Sequence, residues 1–239
     1  MSLSKNHIKL ITSLSQKKYR QKHKLFVVEG VKVVQEFLNS SYELEIVFST
    51  DTDFSSTNKF IEVTDQELKK ITSLKNPNKV LAIFKIPNQI NPIMGGLILA
   101  LDSINDPGNL GTIIRLCDWF GIEQLVCSNE TVDCFNSKVV QASMGSLTRV
   151  AVSYLDLKKY LQNASVPIFV ADMDGLNVYK TKLPDSAVLV LGNEANGISD
   201  EIKQLVTTKI TIPRYGAFQQ TESLNVATAS AILLSEFRR

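Results

Sequence analysis

From Leu97 onward, short apolar runs alternate with helical patterns, and that rhythm limits the chain to a small set of folds. The runs cover residues 97–102, 124–127, 149–152, 168–171, 187–191 and 209–212. Helical spacing falls between them at 110–120, which stops at Gly121, and at 137–142, 157–161 and 200–206. A last helix is expected over 224–237. Strands that read as nearly unbroken apolar sequence have both faces covered. The pattern therefore predicts an α/β fold with a mostly parallel sheet between helices. In such a sheet, ligands sit beyond the carboxyl ends of the strands.

Upstream the texture differs. Leu3, Ile8, Leu10, Ile11 and Leu14 suggest an amphipathic helix, followed by a basic turn, a helix over 31–38 and a strand over 44–49. Thr64 with Glu67 three residues later is a capping box that opens a helix running to Leu74, and 80–86 reads as a strand. Pro87, Pro92, Gly95 and Gly96 mark a linker over 87–96. Two domains follow: a small α/β domain over 1–86 and a larger one over 97–239.

The net charge of +2 hides a polarity along the 239 residues. Lys5, Lys9, Lys17, Lys18, Arg20, Lys22 and Lys24 meet no acid in the first 24 residues, so the remainder carries 19 basic residues against 24 acidic ones. Clustered bases are the footprint of phosphate contacts, and Tyr19 and Phe26 bracket the cluster. A solvated helix and loop is the plainer reading of the same run. No apolar run approaches the roughly 20 residues that span a bilayer, and the basic N-terminus lacks the apolar core of a signal peptide, so a cytoplasmic chain is expected. Three cysteines, Cys117, Cys127 and Cys134, and two distant histidines, His7 and His23, have no zinc-like spacing. Neither disulfides nor a metal is expected.

The first strand of the second domain runs into Asp102-Ser103-Ile104-Asn105-Asp106-Pro107-Gly108-Asn109-Leu110-Gly111, then Thr112-Ile113-Ile114-Arg115. The glycines allow close backbone approach at a helix start, yet their spacing fits neither the dinucleotide fingerprint nor the phosphate loop. Arg115 follows Asn109 by six residues, which puts it on the second turn of that helix, within reach of the same crevice. Two further strand endings are polar: Gly192-Asn193-Glu194, and Glu222-Ser223-Leu224-Asn225 before the last helix. Ser223 suits an N-cap, whereas Asn225 would fall in the first turn.

These three endings, in this order, resemble the motifs of the SpoU/TrmH family of RNA ribose 2′-O-methyltransferases, within the SPOUT superfamily of knotted enzymes. The resemblance spans Leu97 to the end. It extends to the head, where Lys17-Lys18-Tyr19-Arg20 and Phe26-Val27-Val28-Glu29-Gly30 look like the substrate-binding domain of members that act on ribosomal RNA. It implies a C-terminal trefoil knot and a homodimer whose active site borrows residues from the second chain. Arg115 would be the catalytic arginine, with Asn109, Glu194, Ser223 and Asn225 completing the catalytic set. S-adenosylmethionine would lie against Met144, Gly145, Leu191, Gly192, Ile212 and Leu224. Lys17, Lys18, Arg20, Lys22 and Lys24 would bind RNA, ribosomal rather than transfer RNA, with no metal required. The loop over 214–221 is longer than the family's usual one, and its Tyr215 and Phe218 could stack or pack. A non-catalytic RNA-binding protein would have no reason to combine the five polar residues. A small-molecule methyltransferase would not need the basic head.

Overall fold

The structure, a computed structural model, describes residues 2–89, 91–216, 218 and 223–239. Two compact units divide it: Met1–Asn88 with Asp133–Thr148, and Gln89–Val132 with Arg149–Arg239. The first break falls inside the compositional linker, part of which, Ile90, lies outside the described residues. Asp133–Thr148 belongs in sequence to the span read as the C-terminal domain, yet it packs with the first unit.

In the first unit, helix α1 (Lys5–Ser13) starts at a capping box. The Ser4 hydroxyl accepts the His7 N–H at 3.1 Å, and His7 Nδ1 accepts the Ser4 N–H. The basic stretch is itself a helix, α2 (Lys17–His23), and not a turn. It is followed by β1 (Leu25–Glu29), α3 (Val31–Leu38), β2 (Leu44–Ser49), β3 (Phe60–Glu62), α4 (Asp65–Leu68) and β4 (Val80–Lys85). The sheet order is β1-β4-β2-β3, with β4 antiparallel to both neighbours. The Thr64 capping box forms as expected, but α4 stops at Leu68. A few residues on, the Thr72 hydroxyl and the Ser73 N–H and hydroxyl donate to the buried Glu29 carboxylate, which ties that stretch to the end of β1.

The second unit carries the alternation. Its elements are β5 (Leu97–Asp102), α5 (Pro107–Trp119), β6 (Gln124–Ser128), β7 (Ala151–Leu155), α7 (Leu157–Gln162), β8 (Ile168–Asn177), β9 (Ala187–Gly192), α8 (Asp200–Lys203), β10 (Thr208–Thr211) and α9 (Val226–Phe237). Six strands lie in the order β10-β8-β9-β5-β6-β7, and every neighbouring pair is parallel. All six residues of β5 are buried, as the unbroken apolar run requires. On one face Ile98, Ala100, Val126, Val170, Val188 and Val190 pack with Leu157 and Leu161 of α7 and Ile202 of α8. Helices α5 and α9 pack together, with α9 against β9. The chain runs outward from β5 through β6 and β7, then returns on the far side of β5, so the strand order reverses at the β5/β9 boundary. That reversal opens a crevice at the carboxyl ends of these strands.

The Asp133–Thr148 segment explains Arg20. Its helix, α6 (Ser137–Ser143), packs on β1, and Phe135 stacks near Phe26 at 4.7 Å between ring centres. Arg20 is 2% exposed. Its Nε and Nη2 donate to one carboxylate oxygen of Asp133 at 2.8 and 2.6 Å, and its Nη1 donates to the carbonyls of Leu14 and Ser15 at the end of α1. The guanidinium expected to contact RNA is thus buried and bonded inside the unit. Removing one partner of a buried pair leaves the other charge uncompensated. Arg20→Ala should therefore lower the unfolding free energy by about 3–5 kcal/mol in urea denaturation, and a loss below about 1 kcal/mol would contradict the role assigned to the pair.

Candidate active site

A cavity of about 620 Å³ opens at the carboxyl ends of β9 and β10, and every residue lining it belongs to the second unit. Its size is that of a pocket for a drug-sized ligand or cofactor. Leu191, Gly192, Ile212 and Leu224 line it, four of the six positions expected to hold the methyl donor. The other two, Met144 and Gly145, follow α6 in the first unit, both with positive φ.

Gly192 is required by the loop it opens. A Cβ there would fall 2.4 Å from the backbone carbon of Gly197, so any side chain would force the loop apart. Asn193 then folds the loop. Its backbone exchanges hydrogen bonds with Gly197 at 2.9 and 2.8 Å, and its Oδ1 accepts the N–H groups of Ala195 and Asn196. Its Nδ2 donates to the carbonyl of Ser103 at 2.7 Å, joining the endings of β5 and β9. Asn193 is absent from the expected site residues, although an Asn directly after a strand-end glycine is a turn signal.

Three of the five catalytic candidates form a hydrogen-bonded chain. Asn225 Nδ2 donates to Asn109 Oδ1 at 2.9 Å, and Asn109 Nδ2 donates to Glu194 Oε1 at 2.6 Å. Asn225 is the N-cap of α9, its Oδ1 accepting the N–H groups of Ala227 and Thr228. The sequence suggests that cap for Ser223, which instead lies outside the helix and lines the cavity beside Glu194. Thr221 and Glu222 lie outside the described residues, as do Ala217, Gln219 and Gln220. Tyr215 and Phe218 are open to solvent and not packed.

Arg115 does not join this chain. It is exposed, and among the described residues nothing holds its guanidinium. Six residues along α5 from Asn109 means about 9 Å of rise and a face about 120° away, and Arg115 is not among the residues that line the cavity.

The cavity's far wall comes from an irregularity in β8. Pairing with β10 jumps from Val170 opposite Lys209 to Leu176 opposite Ile210, so residues 171–175 of β8 have no partner in β10. Ala171, Asp172 and Met173, in that bulge, line the cavity. A bulge re-aims side chains in this way. Asp172 pairs with Lys209 at 3.0 Å. Burial pushes its carboxyl up, but the Lys209 ammonium and the N–H groups of Asp174 and Met173 outweigh that and hold it below the usual carboxylate range. Nothing in the apolar run 168–171 signals this residue.

Residues 96–235 match the family described as the SpoU rRNA Methylase family. The chain belongs to the SpoU rRNA methylase family. Residues 5–82 match the MRM3-like substrate binding domain, so both parts of this SpoU protein have counterparts. It is 29% identical over 94% of its length, and 93% of the relative's, to a protein of Bacillus subtilis named 23S rRNA (guanosine(2553)-2'-O)-methyltransferase RlmP. Among solved structures it resembles a putative RNA methyltransferase of the TrmH family from Porphyromonas gingivalis, with a TM-score of 0.90 and 39% identity over 100% of this chain and 99% of that one. An AdoMet-bound rRNA methyltransferase from Sinorhizobium meliloti matches with a TM-score of 0.88 and 29% identity, over 100% of this chain and 96% of that one. Among the described residues no helix is long and apolar enough to cross a membrane, and no group of His, Cys, Asp and Glu could hold a metal ion.

The Asp172 carboxyl binds its proton more weakly in the fold than in the unfolded chain. Its ion pair therefore stabilises the protein above the ordinary carboxylate value, ~3.9, and that contribution is lost as pH falls through the lower folded value. Denaturation across pH should show wild type more stable than Asp172→Asn near pH ~7, with the gap closing below about pH 4. A gap that persists undiminished in acid would rule the assignment out.

Proposed function

We propose that this chain transfers a methyl group from S-adenosylmethionine to a ribose 2′-hydroxyl of RNA, ribosomal rather than transfer RNA. The observation that carries the reading is the cavity at the strand ends, whose walls include Leu191, Gly192, Ile212 and Leu224 and whose rim carries Glu194, in a SpoU family chain. The walls fit this donor: apolar side chains such as Leu191, Ile212 and Leu224 suit an adenine, and the absence of a Cβ at Gly192 lets the backbone fold closely at the cavity wall. The donor supplies an electrophilic sulfonium methyl. Met144 and Gly145 as further donor contacts are supported by the resemblance alone.

The protein's part is positioning and electrostatics. Glu194, held through Asn109 and Asn225, orients the ribose hydroxyl, and Ser223 assists from the same rim. Arg115 holds a phosphate with its planar fork and stabilises negative charge developing on the ribose oxygen, with loss of the hydroxyl proton assisted by that phosphate. A guanidinium stays protonated and does not act as the base. The site is completed by a second copy. Arg115 lies on a different face of α5 from Asn109, and Trp119, 83% exposed, stands one turn further along the Arg115 face. A homodimer in which Arg115 serves the partner's cavity accounts for both. The first unit binds the RNA through Lys17, Lys18, Lys22 and Lys24, all exposed on or just after α2, with Lys18 Nζ 4.9 Å above the Tyr19 ring. A cytoplasmic setting is part of the same reading, and Cys117, Cys127 and Cys134 are all buried.

Methyl incorporation from labelled donor into ribosomal and transfer RNA tests the reading. Incorporation should appear at a ribose of ribosomal RNA. Arg115→Lys should lower kcat by about 100-fold or more while leaving donor affinity intact, because charge is kept and the fork is lost. Near wild-type turnover in that variant, or donor binding with no RNA methylated, would refute it.

A further inference from the structure

The residue that closes β5, Asp102, belongs to none of the groups named so far. Asp102 is 5% exposed. Among the described residues no cation pairs with it. Its Oδ2 accepts the backbone N–H of Ser199 at 2.8 Å, and its Oδ1 accepts the Ser103 hydroxyl at 3.1 Å. A buried carboxylate costs free energy unless it is fully hydrogen-bonded, so a side chain that only filled this space would do better apolar.

What Asp102 holds is the far end of the cavity loop. The loop begins at Asn193, tied to the Ser103 carbonyl, and finishes at Ser199, tied to Asp102. Both ends are thus fastened to one pair of adjacent residues, and every residue from Glu194 to Ile198 lines the cavity. The pair itself is braced. Ser103 has a φ of +61°, a left-handed conformation uncommon for Ser, and its N–H donates to the Ser128 hydroxyl at 3.0 Å. Backbone in such a conformation persists where its surroundings over-determine it.

We propose that Asp102 is a positioning residue for methyl transfer: by holding Ser199 it fixes loop 193–199 as a preformed wall of the cavity and sets the direction of Glu194. This rests on the cavity being the donor site. A loop ordered before binding spares the donor the cost of ordering it.

The test uses the full-length protein with S-adenosylmethionine in calorimetry, RNA binding measured in parallel, and hydrogen exchange of the loop amides. Asp102→Ala should weaken donor binding about tenfold or more, the loss of a charge-assisted hydrogen bond, with RNA affinity changed less than about twofold and exchange over 193–199 faster. Asp102→Asn should recover donor binding to within about threefold, since its amide oxygen can accept from Ser199 and its NH2 can donate to Ser103. Ser199→Pro removes only the donor N–H, at a φ of −63° that suits proline, and should behave as Asp102→Ala does. Wild-type donor affinity in the Ala or Pro variant overturns the proposal. So does equal loss in Ala and Asn, or RNA affinity that falls together with donor affinity. A wild-type protein with no donor affinity would instead sink the reading of the cavity, while the exchange rates would still report whether Asp102 holds the loop.

Discussion

A helix N-terminus sets the polarity of the candidate site. The first N–H groups of α9 have no partner within the helix, so Asn225 must turn its Oδ1 toward them and its NH2 outward. Asn109 must then present Oδ1 to that NH2, which leaves its own NH2 aimed at Glu194. The end of the chain has to be an acceptor, and Glu194 is one. The alternative amide orientation would set NH2 against N–H at the cap, so the arrangement has one low-energy state. Segments 85 and 116 residues apart from Asn109 are locked in register by side chains alone. Such fixed orientation is what a site that works by positioning needs.

Much of this architecture is legible in the sequence because it follows from burial. The unbroken run Leu97-Ile98-Leu99-Ala100-Leu101-Asp102 can exist only in a strand covered on both faces, and it is β5 to the residue. The polar endings of β5, β9 and the segment before α9 converge because parallel strands bring their carboxyl ends to one edge. Other features have no local signature. The bulge that carries Asp172 into the cavity wall depends on how β10 registers against β8, and a short strand does not declare its partner. The cap of α9 lies two residues beyond Ser223 for a related reason: Ser223 and Asn225 are both good caps, and the choice falls to Asn225 because only its amide can bond the helix and Asn109 at once.

The basic head shows how charge counting can mislead. Seven cations in 24 residues look like one surface, but Arg20 faces inward and binds Asp133. Its partner lies 113 positions away, in a segment that periodicity assigns to the other domain. Phe26 is likewise core and not a stacking surface, packed among Phe37, Tyr42, Phe84 and Phe135. The lysines that remain exposed on and after α2 form a smaller patch. Arg20 lies in the same helix, and its buried pair with Asp133 anchors the helix that carries that patch.

Hydrogen bonding makes Asn225, Asn109 and Glu194 one unit. A double-mutant cycle on methyl transfer with Asn109→Ala, Asn225→Ala and the double variant measures this directly. Residues that act as a unit are strongly non-additive, so the double variant should be about as impaired as the worse single variant. Losses that simply multiply, as for two independent contacts, would contradict it.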